Sequence, residues 1–429
     1  MREFMLDNGI RVYLWPWDAT SVGINVTLTS GSRNDPVSNC ASLVFLHGLN
    51  HAYEHIASRA TRSFPSWKAL MEKADSTCSD FNAETSKTTL SVYAETDRQH
   101  ALSTISFLAE IIKHPLISTA HVSYEKARVA QECREGNDDP EERTELDFDQ
   151  LMFGQDGLAH PIVGTEESIQ RFDIKMMWNF YRRTVCGQRL IVVMTGNFDP
   201  VRAEAIIRRD FSEIKPGLPP ERFELNYRRL RGGIALKRRD TNQVYCLIGF
   251  PVFGVNDPRR PAMSLIRNQL SNRSSSQIKI AASSLGFGYS NSDYLMHWSD
   301  VGQYHVALPV SPDRFIETLE IVGREIGQIR QLLLPPEDYE LSVTNLVIGS
   351  RAKFGNPLQA ATFVGEFVAN AGRFMPLRHY LHSIRRVSRS KIRSVARDIF
   401  VHSRLCLVAH GPLQGITKHT IRRALRWSS

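Results

Sequence analysis

A run of backbone breakers near the middle of this chain has the same strand-and-helix grammar on either side of it. Lys215-Pro216-Gly217-Leu218-Pro219-Pro220, followed by Arg228-Arg229-Leu230-Arg231-Gly232-Gly233, suits neither a helix interior nor a central strand. Before it, Ile10–Leu14 and Val22–Leu28 alternate with period two, as half-buried strands do. Thr88–Tyr93 and Arg189–Thr195 are also strand-like, and helical patterns cover about Cys40–Arg59, Arg98–Lys113 and Ser118–Glu135. Pro115, Pro140 and Pro161 punctuate this half. After the breakers, strands are expected near Val244–Phe250, His305–Val310 and Leu405–Ala409, with helices over Pro312–Leu333 and Pro336–Ser350. The pattern predicts a duplicated α+β unit: one domain over 1–213, a linker over 214–233 and a second domain over 234–429. Each domain is expected to be an antiparallel sheet with helices packed on one face. The length, 429 residues, is too great for one ordinary core and fits two.

Charge and cysteine usage narrow the function. No apolar run reaches the ~18–20 residues of a membrane helix. Met1–Asp7 has no apolar signal core, so a cytoplasmic protein with no membrane role is expected. Cys40, Cys78, Cys133, Cys186, Cys246 and Cys406 are scattered singly, which suits free thiols in a reducing compartment. The net charge of +8 sits in Leu377–Ser429, where twelve Lys/Arg face one acid, Asp398; the rest of the chain carries −3. A solvated helix face or a contact for an acidic partner accounts for that segment better than nucleic acid, because no aromatic-interleaved motif accompanies it.

The chemistry lies in His51-Ala52-Tyr53-Glu54-His55, an H-x-x-E-H motif within the first helical stretch. Spacing i, i+4 puts His51 and His55 one turn apart on one face, where both imidazoles can reach a single metal at ~2.0–2.1 Å. Glu54 lies beside them without needing to ligate. Zinc lowers the pKa of a water it binds from ~15.7 towards ~7, so a neighbouring carboxylate can help form a nucleophile at neutral pH. A catalytic zinc needs a third protein ligand; without one, the histidines read as surface or core-edge residues. Glu125 and Glu132, two turns apart on a helical pattern, share a face, but two helix glutamates alone read as a solvated face.

With these residues in register, the chain resembles the pitrilysin-type, inverted-zincin (M16) metallopeptidases, and the likeness covers nearly its whole length. Asn8-Gly9-Ile10-Arg11-Val12 is similar to the family's opening strand, and Gly31-Ser32-Arg33-Asn34-Asp35 to its G-S-R-x-[DE] turn. Gly48-Leu49-Asn50-His51-Ala52-Tyr53-Glu54-His55 resembles its G-L-x-H-x-x-E-H core, His160–Thr165 its P-I-x-G-T segment, and Gly196–Asp199 the strand end that follows. The resemblance implies one zinc per chain, held by His51, His55 and Glu132, which follows His55 after 76 intervening residues. It implies Glu54 as the catalytic base and Glu125 as a glutamate supporting the site. Asn82 and Ala83 match an N-A pair that begins an edge strand beside the bound peptide, so a peptide substrate is expected to add there as a strand.

The departures from the family pattern concern substrate and partner. Cys78-Ser79-Asp80-Phe81 replaces the usual Gly-Gly, and Glu84 stands where Tyr is common. In the second half, Ser274-Ser275 and Gly286-Phe287-Gly288-Tyr289 align with a segment carrying an Arg and a Tyr that stabilise the oxyanion. Tyr289 is present, as a substrate or a packing residue. The Arg position holds Ala282, the following Glu position holds Ser283, and Lys279, a turn earlier, is no guanidinium fork. This combination resembles the zinc-carrying chain of a two-chain member whose partner supplies the Arg-Tyr pair, a heterodimer with a homologous chain, with a homodimer as the alternative. Two other readings stand beside the metallopeptidase: a non-catalytic scaffold of the same fold, and a basic adaptor binding nucleic acid or an acidic surface through Leu377–Ser429.

Overall fold

The computed structural model describes residues 1–36, 46–276, 278–280 and 292–427. Its strands are β1 (Arg2–Met5), β2 (Arg11–Pro16), β3 (Val22–Leu28), β4 (Asp80–Thr85), β5 (Leu90–Thr96), β6 (Leu190–Gly196), β7 (Gly233–Arg238), β8 (Val244–Phe253), β9 (Ser292–His297), β10 (Val301–Val310) and β11 (Cys406–Gly411). They form two sheets, one in the order β1-β2-β6-β3-β5-β4 and one in the order β7-β11-β8-β10-β9. Setting β1 aside, the two orders correspond strand for strand, and so do their directions. The β2–β6 and β7–β11 pairs are parallel; every other pair is antiparallel. The duplicated α+β unit is therefore real at the level of topology. The expected antiparallel sheets are mixed, with one parallel pair each, because β6 and β11 return to their sheets after long helical excursions.

The two compact units are discontinuous in sequence. One comprises Met1–Glu135, Asp156–Arg222 and Ala352–Phe374; the other comprises Gly136–Gln155, Phe223–Arg351 and Met375–Ser429. They differ from contiguous blocks of 1–213 and 234–429 by one exchanged segment each. Between Phe211 and Gly233 no helix or strand forms.

In the first unit, Val22, Ile24, Val26 and Leu28 point into a core shared with Ile105, Leu108, Ile112 and Phe211. The opposite face of β3 carries Gly23, Asn25 and Thr27. It is buried as well, under the helix Pro357–Ala371. A Cβ on Gly23 would lie 2.4 Å from the Leu358 nitrogen, and one on Gly365 would lie 2.3 Å from Thr27 Oγ1, so the two glycines let helix and sheet touch. Helices therefore cover both faces of this sheet, not one. Asn356 starts the covering helix by accepting the Gln359 N–H at 2.8 Å, and Pro357 occupies its first turn.

The second unit uses the same device. Its helix Pro140–Phe153, capped by Asp139 accepting the Glu141 and Glu142 N–H groups, packs on β11 and β8. There Asp147 lies 2.8 Å from Nε2 of His410 on β11. The basic segment forms the helices Leu377–Arg385, Arg389–Ile399 and Lys418–Ala424. Leu381, Ile384, Ile392, Val395, Ile399 and Ile421 are buried, and Arg378, Arg385, Lys391, Arg397, Arg422 and Arg423 are exposed. Among the described residues no helix is long and apolar enough to cross a membrane.

Candidate metal centre

The motif helix is shorter than its apolar pattern suggests. It spans Leu49–Ala57, where the sequence predicts about Cys40–Arg59; residues 40–45 lie outside the described residues. Gly48, with φ +85, breaks the backbone immediately before it. That glycine has a second reason. A Cβ there would sit 2.2 Å from the Val163 carbonyl oxygen, and a Cβ on Gly164 would sit 2.3 Å from that of His47. The Pro161–Thr165 segment thus packs directly on the start of the motif helix, and Ser168 Oγ donates to the His47 carbonyl at 2.6 Å.

No side chain within the helix caps its N-terminus. Asp35 does so from the turn after β3, accepting the N–H of Gly48 at 2.7 Å, that of Asn50 at 3.0 Å and Asn50 Nδ2 at 2.8 Å. Burial pushes the Asp35 carboxyl up to about 7, partly offset by those donors.

The helix presents His51 and His55 towards the helix Thr119–Asp138, which carries Glu125 and Glu132. The two Nε2 atoms are 3.2 Å apart. Glu132 Oε2 lies 3.8 Å from His51 Nε2 and 3.5 Å from His55 Nε2. Among the described residues these three form the only cluster of such side chains able to hold a metal. The donor set fits zinc. A tetrahedral ion with bonds of ~2.0–2.1 Å separates its ligand atoms by roughly 3.3–3.4 Å, and the three measured spans bracket that value. The chemistry fits too. His55 Nδ1 donates to Glu125 Oε2 at 3.1 Å, which leaves Nε2 as the nitrogen that offers a lone pair when the ring is neutral. Two imidazole nitrogens and a carboxylate converge there, a donor set suited to a divalent cation. His51 is held neutral: burial, and then the charge of His55, lower its pKa to about 3.

Glu54 lies on the same helix and is 9 % exposed. Thr85, the last residue of β4, donates its hydroxyl to Glu54 Oε2 at 2.7 Å. Burial raises the Glu54 pKa, the Thr85 hydroxyl and His55 lower it, and the charges of Glu132 and Glu84 raise it again. A carboxylate raised in this way is a better base near neutral pH. Glu125 is 1 % exposed and pairs with Arg59 at 3.1 Å and Arg128 at 3.6 Å.

Among the described residues β4 is the last strand of its sheet, with no strand paired to its outer edge. Asn82 is exposed and Ala83 half-buried on it, and Asn82 Oδ1 accepts the Ala83 N–H at 2.9 Å. Glu84 is exposed on the same strand. Lys279 donates to the Asn272 carbonyl at 3.0 Å. Ala282, Ser283 and Tyr289 lie outside the described residues.

Thr85, Asp35, Arg59 and Arg128 were not singled out as site residues from the sequence. Asp35 had a signal, since it ends the Gly31–Asp35 turn; Thr85 had one in period two, two positions after Ala83. The arginines had none.

Residues 17–166 match the insulinase (peptidase family M16) domain, and residues 171–346 match the peptidase M16 inactive domain. An uncharacterised zinc protease of Mycobacterium leprae is 22 % identical over 98 % of this chain and 93 % of its own. Another, from Streptomyces coelicolor, is 24 % identical over 86 % of this chain and 82 % of its own. The crystal structure of a protease from Helicobacter pylori superposes with a TM-score of 0.85 at 15 % identity, covering 96 % of this chain and 99 % of that one, which shows the shared fold. With both family domains matched in order along most of its length, the chain belongs to peptidase family M16.

Proposed function

We propose that this chain is the zinc-carrying subunit of a metalloendopeptidase that hydrolyses peptide bonds in extended, unfolded peptides. The observation that carries this reading is the convergence of His51 Nε2, His55 Nε2 and the Glu132 carboxylate, with the buried carboxylate of Glu54 on the same helix. Zinc, when bound, would polarise the scissile carbonyl and acidify the attacking water. Glu54 would take that water's proton and return it to the leaving amine, while Thr85 occupies Oε2 and leaves Oε1 for the proton. Glu125 would fix the tautomer and ring orientation of His55. The peptide would pair with the open edge of β4 at Asn82 and Ala83, displacing the Asn82 side chain from the Ala83 amide.

The oxyanion donors would come from a homologous partner chain carrying the Arg-Tyr pair. Ala282 and Ser283 stand in the sequence where the resemblance expects an Arg and a Glu, and the Lys279 ammonium is engaged by the Asn272 carbonyl. We assign a cytoplasmic setting, which the free thiols of Cys78, Cys186, Cys246 and Cys406 support. The match of the second half to an inactive domain favours the scaffold reading as the rival.

Glu54→Gln decides between them. Against a quenched-fluorescence peptide pool, with the homologous chain present, turnover is expected to fall by roughly 10²–10⁴-fold. Zinc content is expected to stay at about one per chain. Zinc without turnover in any pairing would support the scaffold; wild-type protein that takes up no zinc would sink the site.

A further inference from the structure

The supporting glutamate has a holder of its own. Glu125 is almost fully buried, and a buried carboxylate stays in one orientation only when cations and donors fix both oxygens. Its Oε2 accepts His55 Nδ1–H at 3.1 Å. Its Oε1 faces Arg59 at 3.1 Å, in an ion pair without hydrogen-bond alignment, since Oε1 has no hydrogen-bond partner. Arg59 follows the end of the motif helix, where a cation also suits the helix dipole. Its guanidinium lies 3.8 Å from the ring centroid of Tyr124, the residue before Glu125. One planar cation is thus seated on Tyr124 and held against Glu125, two consecutive residues of the helix that also bears Glu132.

We infer that Arg59 is a positioning residue of the metal site, acting through Glu125 to hold His55 with its Nε2 lone pair towards Glu132 and His51. The inference rests on the zinc reading above. Arg128 is the weaker holder: it is 3.6 Å from Glu125 and its side chain is 48 % exposed, against 20 % for Arg59. Solvent screens an exposed pair of that kind. Lysine would not substitute fully, because its ammonium has no plane to lay on the Tyr124 ring.

The test is zinc affinity, read by competition with a chelator of known affinity, together with the ¹⁵N signals of the His55 ring in zinc-free protein. Arg59→Ala is expected to weaken zinc binding about tenfold, the scale for loss of an outer-shell partner. At a pH high enough to leave the ring neutral, it should also turn a single Nδ1–H tautomer of His55 into a mixture. Arg59→Lys is expected to recover part of both, and Arg128→Ala to change affinity by less than about threefold. Should Arg59→Ala fail to fold, Arg59→Gln carries the same expectation, since it keeps bulk and loses charge. A folded Arg59→Ala or Arg59→Gln protein with wild-type zinc affinity and one His55 tautomer would overturn the role of Arg59 and leave the zinc reading standing. Wild-type protein that binds no zinc would overturn both.

Discussion

The two units of this chain build the same seam and fill it with different chemistry. In the first, the helix after β3 (Leu49–Ala57) meets the helix Thr119–Asp138 through His51, His55, Glu125 and Glu132. In the second, the helix after β8 (Arg260–Arg267) runs on through Asn268–Asn272 and meets the helix Pro336–Gly355. There Asn268 Nδ2 donates to Asn345 Oδ1 at 2.7 Å, Ser342 Oγ donates to Gln269 Oε1 at 3.1 Å, and Arg273 pairs with Asp338 at 2.9 Å. Both seams are polar and partly buried, and both draw on a stripe of the second helix spaced by whole turns. In the second, amide, hydroxyl and guanidinium donors meet amide and carboxylate acceptors across the seam. In the first, two imidazole nitrogens and a carboxylate converge, a donor set suited to a divalent cation. The fold supplies the seam; the residue types decide whether it holds a metal.

The largest expected effect comes from making the first seam resemble the second. His51→Asn combined with His55→Gln should abolish zinc uptake while the far-ultraviolet circular dichroism stays native; retained zinc would show that the seam chemistry is not what binds it. The next is steric. Gly48 and Gly372 share a positive φ, +85 and +74. Only Gly48 has a carbonyl in the path of a Cβ, and nothing lies within 4 Å at Gly372. Gly48→Ala should cost roughly 3 kcal/mol or more of unfolding free energy and Gly372→Ala about 1 kcal/mol, read from urea unfolding. Equal costs would mean that packing on the motif helix adds nothing. Asn345→Leu, which strands the Asn268 amide, should cost about 1–3 kcal/mol and leave zinc affinity unchanged.

The smallest effect separates the units by acid. Burial raises the pKa of Asp147, but the hydrogen bond from His410 and the Lys237 ammonium outweigh it and hold the carboxyl at about 2. A carboxyl depressed on folding contributes stability above its unfolded value near ~3.9 and loses it as pH falls through its folded one. The melting difference between wild type and Asp147→Asn should therefore be full above about pH 4 and shrink towards about pH 2; a difference independent of pH would remove the ionised pair from the account.

In the seam of the first unit, His51, Glu54 and His55 were legible from their spacing, whereas Glu125 and Glu132 read by themselves as a solvated helix face and were pointed to only by the family resemblance. The strand face beside the seam was not legible. Gly23, Asn25 and Thr27 look like the outward side of a half-buried strand, yet their small size is what admits the helix Pro357–Ala371. The exchange of segments was equally hidden. Pro140 reads as a breaker, but with Asp139 accepting two N–H groups it begins a helix. Pro357 after Asn356 does the same. Among the described residues the motif helix begins only at Leu49, because Gly48 takes a positive φ there; residues 40–45 of the expected helix lie outside the described residues.

An anomalous-difference map at the zinc absorption edge, from crystals grown with the metal, tests the central claim most directly. The account predicts one strong peak in the first unit between His51 Nε2, His55 Nε2 and the Glu132 carboxylate, and none at the Asn268–Asn345 seam of the second. No peak at the histidines, or a peak elsewhere with that position vacant, would contradict it.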